Sequence, residues 1–232
     1  PNPSTTASDP GERGPVRLPD RAFGRRPARR VFIRRSRRAA VSPPHDALAA
    51  DPALAPLIER YGRLELEPAE DMFRRLVVSI IRQQVSMASA AATEERLFDA
   101  VEVTPTGVLA ADTETLRDCG LSRQKTSYVR NAAEAFDSTY DRAYFEGMDD
   151  DAVIAELTEI TGVGEWTARM QLLFSLGRPD VFPVGDLGVR KGMRALFDEG
   201  MDRDGMCERA ERWRPYRSYA TLYLWRIDGN VA

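Results

Sequence analysis

Two features of this chain could form a functional site. The turn Gly162-Val163-Gly164, between two helical patterns, could bind an anion, and the carboxylate of Asp186 could take part in chemistry. Glycine lets a second backbone approach closely. The helix that follows such a turn presents its first free N–H groups, and these groups together with the helix dipole bind anions. Both a structural turn and a phosphate-binding site fit this pattern.

Asp186 follows the Gly/Pro-rich stretch 177–185 and precedes another helical pattern. An aspartate at this position is most often only an N-cap. The helix expected after the turn is roughly 18 Å long, and nine extended residues reach about 30 Å, so Asp186 can return to the hairpin. Coupled to the hairpin in this way, Asp186 is a candidate functional residue as well as a cap. The helix N-terminus favours the negative charge.

The elements that must position these residues read as helices almost throughout, from Asp46 onwards. Apolar residues recur at helical spacing, as in Phe73, Leu76, Val77 and Ile80, while strand patterns are sparse. The pattern predicts an all-α protein. The predicted helices lie in the segments DALAADPALAPLIERYG, PAEDMFRRLVVSIIRQQVSMASAAATEERLFDA, DTETLRDCG, RQKTSYVRNAAEAFDS, DDDAVIAELTEI, WTARMQLLFSLG, DLGVRKGMRALFD and PYRSYATLYLWRID.

Composition limits the classes of function. The chain has 232 residues, 43% of them apolar and 30% charged, which is typical of a globular protein. Cys119, Cys207 and His45 are its only cysteines and histidine, so the chain alone cannot build a four-cysteine zinc site or iron–sulfur cluster. The polar start and the lack of a long apolar run predict no signal peptide and no membrane association. We expect a reducing compartment.

Charge is unevenly distributed along the chain. Residues 1–40 contain 11 arginines and three acidic residues, whereas the remainder has a net charge of −11. We interpret residues 1–45 as a basic, mobile arm, because they lack apolar periodicity. The arm is either a solvated extension or a tether to phosphates.

Four segments in the same order resemble the helix–hairpin–helix DNA glycosylase superfamily, within it the 3-methyladenine DNA glycosylase II (alkylpurine) branch. They are SIIRQQVSMASAA, GLSRQKTSYVRNAA, ITGVGEWTARMQLLFSLGRPDVFPVGDLGVRKGM and WRPYRSYATLYLW, and the resemblance covers roughly residues 47–230. It implies two helical subdomains that flank a DNA-binding cleft. The central subdomain would span 70–178, with the helix–hairpin–helix at about 150–176, and the other would combine 46–69 with 179–232.

The resemblance implies a monofunctional glycosylase of base excision repair. Branches with an iron–sulfur cluster have four cysteines near the C-terminus, where this chain has Cys207 alone. Branches that nick DNA carry a lysine just after the hairpin, at the position of Trp166. The implied reaction hydrolyses the N-glycosidic bond of a flipped-out alkylated purine, of the 3-methyladenine or 7-methylguanine type, and leaves an abasic site. Asp186 would be the catalytic carboxylate.

The match also assigns the other site residues. Trp166, Trp225, Met170 and Leu187 would line the pocket, where electron-rich faces suit a cationic base. Gln84, with Gln83 beside it, would fill the gap in the duplex. The DNA backbone would contact the hairpin at Gly162, Val163, Gly164 and Thr167.

Other interpretations of these side chains stay open. Trp166 and Trp225 could be ordinary core residues, and the two glutamines could form a polar helix end. Tyr128 is expected in the core rather than in the pocket. Superfamily members commonly hold Na⁺ or K⁺ at the hairpin, here on the backbone carbonyls of Thr158, Ile160 and Val163. No other cofactor is implied.

Two rival functions remain: a glycosylase for a deaminated or oxidised base, and a non-catalytic hairpin module that binds DNA. The expected partner is double-stranded DNA that contains damaged bases. The protein would act as a monomer in the cytoplasm at the nucleoid, or in the nucleus of a eukaryote.

Overall fold

The computed structural model describes residues 43–227, and within them every regular element is helical, which confirms the all-α prediction. The basic arm lies outside the described residues, apart from its last positions. Those positions correct its boundary, because Pro44 and His45 belong to the first helix and His45 is buried. The helices are α1 (Pro44–Leu48), α2 (Ala55–Tyr61), α3 (Met72–Arg82), α4 (Met87–Ala100), α5 (Pro105–Ala110), α6 (Thr113–Asp118), α7 (Arg123–Ser138), α8 (Arg142–Glu146), α9 (Asp150–Thr158), α10 (Glu165–Phe174), α11 (Leu187–Leu196), α12 (Arg203–Ala210) and α13 (Arg217–Ile227), with a 3₁₀ turn at Glu211–Trp213.

Short polar side chains begin most of these helices. The N-cap oxygen of each accepts a hydrogen bond from a backbone N–H three residues later, which satisfies one of the unpaired donors of the first turn. From α3 to α12, α10 alone has no side-chain cap, because its N-cap is Gly164. The capping residues are Asp71, Ser86, Thr104, Asp112, Ser122, Asp141, Asp149, Asp186 and Asp202.

The main helix contacts fall into two groups. In one group α3 packs against α4, α7 and α10, α7 packs against α5 and α6, and α9 packs against α10. In the other, α13 packs against α1, α2 and α11, and α11 packs against α12. The groups follow the predicted division of the chain, but all described residues belong to one compact unit, so the subdomain boundaries stay a prediction.

Close approach between α11 and α13 depends on a glycine. A Cβ atom built on Gly192 would lie 2.5 Å from the carbonyl oxygen of Leu224, so a larger residue there would push the two helices apart. This contact fixes the relative position of two predicted site residues, since α11 begins after Asp186 and α13 carries Trp225.

Three short helices, α5, α8 and α12, have no counterpart among the predicted segments. Each has eight residues or fewer, which is too short for a helical period to show clearly. Within residues 43–227, no helix is both long and apolar enough to cross a membrane.

Candidate active site

The hairpin between α9 and α10 holds its tight turn through Gly162. This residue has φ of 104°, and a Cβ atom built on it would lie 2.1 Å from Cγ of Tyr128. The turn therefore requires glycine twice over, for its backbone conformation and for the packed Tyr128 ring. Gly164 differs, because it has φ of −92° and open space where a Cβ would be. The open face of the hairpin lies at Gly164 and the uncapped N-terminus of α10.

Two side-chain amides hold the hairpin against neighbouring helices. Gln83 Nε2 donates to the carbonyl oxygen of Gly162 at 3.0 Å and to Oγ1 of Thr167 at 3.1 Å. Asn131 Nδ2 donates to the carbonyl oxygen of Thr161 at 3.1 Å. The amide of Gln83 is thus turned towards the hairpin, which corrects the prediction that it helps Gln84 to fill the duplex.

Asp186 is both the N-cap of α11 and the acceptor of two indole N–H groups. Its Oδ1 accepts from the backbone N–H of Val189 at 2.9 Å and from Trp225 Nε1 at 2.8 Å, while Oδ2 accepts from Trp166 Nε1 at 2.9 Å. A carboxylate has about four lone-pair sites. Three are occupied by these donors, which leaves one site on Oδ2.

An inner pocket of about 280 Å³ lies beside this carboxylate. Its volume is close to the lower end of the range for small-molecule sites. Its walls come from one face of α3, one face of α10, the start of α11, and Trp225 of α13. The pocket is lined by Arg75, Ser79, Arg82, Val85, Met87, Trp166, Met170, Phe174, Asp186, Leu187, Gly188 and Trp225.

A wider outer cleft of about 950 Å³ adjoins the inner pocket and shares Arg82, Val85, Trp166, Asp186 and Leu187 with it. The hairpin, the loop between α3 and α4, and the start of α7 form its walls. The outer cleft is lined by Arg82, Gln83, Gln84, Val85, Gly120, Ser122, Gln124, Lys125, Tyr128, Gly162, Val163, Gly164, Trp166, Thr167, Gly185, Asp186 and Leu187.

Gln84 is exposed on the rim of the outer cleft. Its φ of 54° is a left-handed backbone conformation, which is energetically unfavourable for residues other than glycine. Val85 and Met87 follow it, and both are exposed. Lys125 donates through Nζ to the carbonyl oxygen of Ile81 at 2.5 Å. It thereby binds the C-terminal turn of α3, just before Gln84, and burial lowers the pKa of its ammonium group.

The structure brings most of the predicted site residues together. Trp166, Trp225, Met170 and Leu187 all line the inner pocket, with Met170 buried and Leu187 exposed. The side chain of Thr167 is buried and hydrogen-bonded to Gln83, so it is not free to contact the DNA backbone as predicted.

Tyr128 is half-buried and packs against the hydrophobic core, and it does not line the inner pocket. Its ring also covers Gly162 and lines the outer cleft, which the sequence did not predict.

Seven residues of the inner pocket were not predicted from the sequence: Arg75, Ser79, Arg82, Val85, Met87, Phe174 and Gly188. Phe174 follows Trp166 and Met170 at four-residue spacing, so the helical period of α10 could have indicated it. Arg75 shares a face of α3 with Ser79 and Arg82, but nothing local shows that this face borders a cavity. Phe174 stacks on Trp225 with ring centroids 5.6 Å apart and 19° between the planes.

Comparison with known proteins agrees with this geometry. The family model for the HhH-GPD superfamily base excision DNA repair protein matches residues 77–215. A Bacillus subtilis protein with the name "Putative DNA-3-methyladenine glycosylase YfjP" is 29% identical to this chain over 186 residues. The match covers 75% of this chain and 65% of that protein. The match thus spans just under two thirds of that relative's length.

Solved structures show the same fold. The DNA-3-methyladenine glycosidase of Bacillus halodurans superimposes with a TM-score of 0.71 and 35% identity, covering 81% of this chain and 90% of that one. The 3-methyladenine DNA glycosylase Mag1 of Schizosaccharomyces pombe, in complex with abasic DNA, gives a TM-score of 0.74 and 28% identity, with 80% and 96% covered. The chain belongs to the HhH-GPD superfamily of base excision DNA repair proteins.

Proposed function

We propose that this protein is a monofunctional DNA glycosylase that removes alkylated purines from double-stranded DNA and leaves an abasic site. The observation that carries the proposal is the Asp186 carboxylate, which three N–H donors orient at the junction of the inner pocket and the outer cleft. Relatives named as 3-methyladenine DNA glycosylases support this substrate class. The protein would act as a monomer.

Asp186 does the chemistry in this proposal. As the N-glycosidic bond breaks, the sugar acquires oxocarbenium character, and a fixed carboxylate stabilises that charge. The free lone-pair site on Oδ2 would accept a proton from the attacking water. Trp166 and Trp225 hold the carboxylate in one orientation, so that little reorganisation is needed during the reaction.

The inner pocket would receive the flipped base. Extrusion from the stack is needed because Asp186 cannot reach a sugar within an intact duplex. Trp225 provides an aromatic face for a purine, and Phe174 supports the Trp225 ring by stacking on it. Gln84 would enter the gap left in the duplex, which is consistent with its exposed position and strained backbone on the rim.

The hairpin would bind a phosphate next to the lesion through the uncapped N-terminus of α10. This contact reads no sequence. By the family resemblance, a monovalent cation would bind beside it on the backbone carbonyls of Thr158, Ile160 and Val163. Side-chain amides donate to the neighbouring carbonyls of Thr161 and Gly162. Ile160 also accepts from the Val163 N–H at 2.9 Å, but a carbonyl has a second lone pair.

The direct test is Asp186→Asn. Asparagine is also a good N-cap, so the variant should fold. We expect release of alkylpurines from methylated DNA to fall at least about a hundredfold, while binding of a duplex with a tetrahydrofuran abasic analogue persists. Asp202→Asn is the matched control, because Asp202 caps α12 in the same way and is exposed. Wild-type turnover by Asp186→Asn would exclude the assigned role.

A panel of duplexes separates the rival functions. Single lesions of alkylated, deaminated and oxidised type are incubated with the full chain, and the released bases are quantified. Strand cleavage only after alkali treatment would support a monofunctional enzyme, whereas cleavage without alkali would contradict it. Release of no base from any duplex would favour a binding module.

A further inference from the structure

Arg75 is a charged side chain in the wall of the inner pocket that the proposed chemistry does not use. Its guanidinium lies over the ring of Phe174, with Cζ 4.4 Å from the ring centroid. Its Nε is fully buried and has no hydrogen-bond partner among the described residues. Burial of a polar group without a partner is costly, which points to a ligand that supplies one.

Within residues 43–227, no acidic side chain forms an ion pair with Arg75. Arg82 is the neighbouring cation, and its own Nε is paired with Glu94 at 2.9 Å. Burial, and then the charge of Arg82, lower the pKa of Arg75 to about 10, partly offset by Glu94. Arg75 is therefore charged at neutral pH, and its side chain lines the inner pocket.

We infer that Arg75 selects the flipped base by donating a hydrogen bond to an exocyclic oxygen, so that 6-oxopurines such as 7-methylguanine are preferred to 6-aminopurines such as 3-methyladenine. This inference rests on the proposed function. Arginine has only donors. Guanine presents O6 as an acceptor, whereas adenine presents an amino group at that position, and two donors would face each other.

Charge alone would not produce this preference. A fixed cation repels 7-methylguanine and 3-methyladenine to a similar extent, because both nucleotides carry a positive charge before excision. The ratio of the two released bases therefore isolates the hydrogen bond from the electrostatic effect. A purely structural role for Arg75 would change both rates together and leave the ratio unchanged.

The test uses DNA treated with a methylating agent, which contains both lesions in one substrate pool. Arg75→Met keeps the apolar stem and removes the donors. We expect the ratio of kcat/KM for 7-methylguanine to that for 3-methyladenine to fall about tenfold, since the variant can no longer donate a hydrogen bond from a charged group. Arg74→Met is the matched control: Arg74 is exposed and lies over Phe98, outside the inner pocket, so its ratio should equal that of the wild type.

Two outcomes separate this inference from the proposed function. If the wild type releases neither base, the proposed function fails. If it releases both and Arg75→Met keeps the wild-type ratio, only the inference is overturned. Should Arg75→Met not fold, inhibition of the wild type by free bases decides: 7-methylguanine should inhibit more strongly than 3-methyladenine, and the reverse order would overturn the inference.

Discussion

At the scale of single residues, the site depends on how Asp186 is held. Its carboxylate accepts from one backbone N–H and two indole N–H groups. The tryptophans therefore have two positions in the site, as walls of the inner pocket and as donors to Asp186, the proposed catalytic group. A change that removes the donor but keeps the aromatic ring distinguishes these roles.

Trp166→Phe makes that change. We expect kcat for alkylpurine release to fall about tenfold or more, because a hydrogen bond to a charged group is worth about 1.5–3 kcal/mol. KM should change little, since an aromatic wall remains. Single-turnover kinetics measure the effect, and an unchanged rate would show that Trp225 and Val189 orient Asp186 without help.

Trp213→Phe is the matched control. Trp213 Nε1 donates to Oδ2 of Asp51 at 2.9 Å, and Asp51 also forms an ion pair with Arg209. None of these three residues lines the inner pocket or the outer cleft. We expect loss of about 1–3 kcal/mol of stability and unchanged excision.

The difference in stability between the wild type and Trp213→Phe should depend on pH. Burial alone would raise the pKa of Asp51, but hydrogen bonds from Ala53, Trp213 and Arg209 lower it overall. A lowered pKa stabilises the fold above the unfolded value of about 3.9, and this contribution is lost as the pH falls through the folded value. Thermal melts from pH 7 to pH 3 should therefore converge for the wild type and Trp213→Phe.

At the scale of elements, the two glycines of the hairpin differ in conformation and in surroundings. Gly162 is required by the fold, because its φ of 104° and the Tyr128 ring leave no space for a side chain. Gly164 is open and stands at the uncapped start of α10, where a phosphate would approach. Stability and DNA binding should therefore respond differently at the two positions.

Gly162→Ala should lower the free energy of unfolding by at least about 2 kcal/mol, since it combines backbone strain with overpacking. Gly164→Ala should cost less than about 1 kcal/mol and yet weaken binding of a duplex with an abasic analogue. Denaturant unfolding and binding titrations measure both. If Gly164→Ala binds as tightly as the wild type, the phosphate does not approach at Gly164.

At the scale of the whole molecule, charge is separated between a basic N-terminal arm and an acidic remainder of the chain. Residues 1–40 have a net charge of +8, while the rest of the chain is acidic. An acidic body gains little from long-range attraction to DNA. The proposed cleft would bind the DNA backbone through helix N–H groups, and such binding needs few cationic side chains.

We expect the arm to supply the salt-dependent part of DNA binding. Deletion of residues 1–42 keeps α1, and it should reduce the slope of log Kobs against log salt by several units, at about 0.9 for each phosphate that the arm neutralises. Binding to an undamaged duplex from 50 to 200 mM salt measures the slope. An arm with the same residues in scrambled order should keep the slope, and an unchanged slope on deletion would contradict the prediction.

The sequence by itself determined the helices, the turn and the position of Asp186 as a cap. These features arise from contacts between residues a few positions apart, as in the helix RQKTSYVRNAAEAFDS, whose limits match α7. The resemblance in four segments then indicated which residues would share a pocket. Short helices without a clear apolar period, such as α8, could not be predicted from local sequence patterns.

Only the tertiary structure decided how the site is assembled. Trp225 is 39 residues from Asp186 and Gln83 is 79 from Gly162, so their hydrogen bonds depend on how separate helices dock. The same holds for Arg75, which becomes a pocket residue because α3 packs against α10. Local periodicity shows that a helix has a face, but the docking of helices determines whether that face meets the core, a cavity or water.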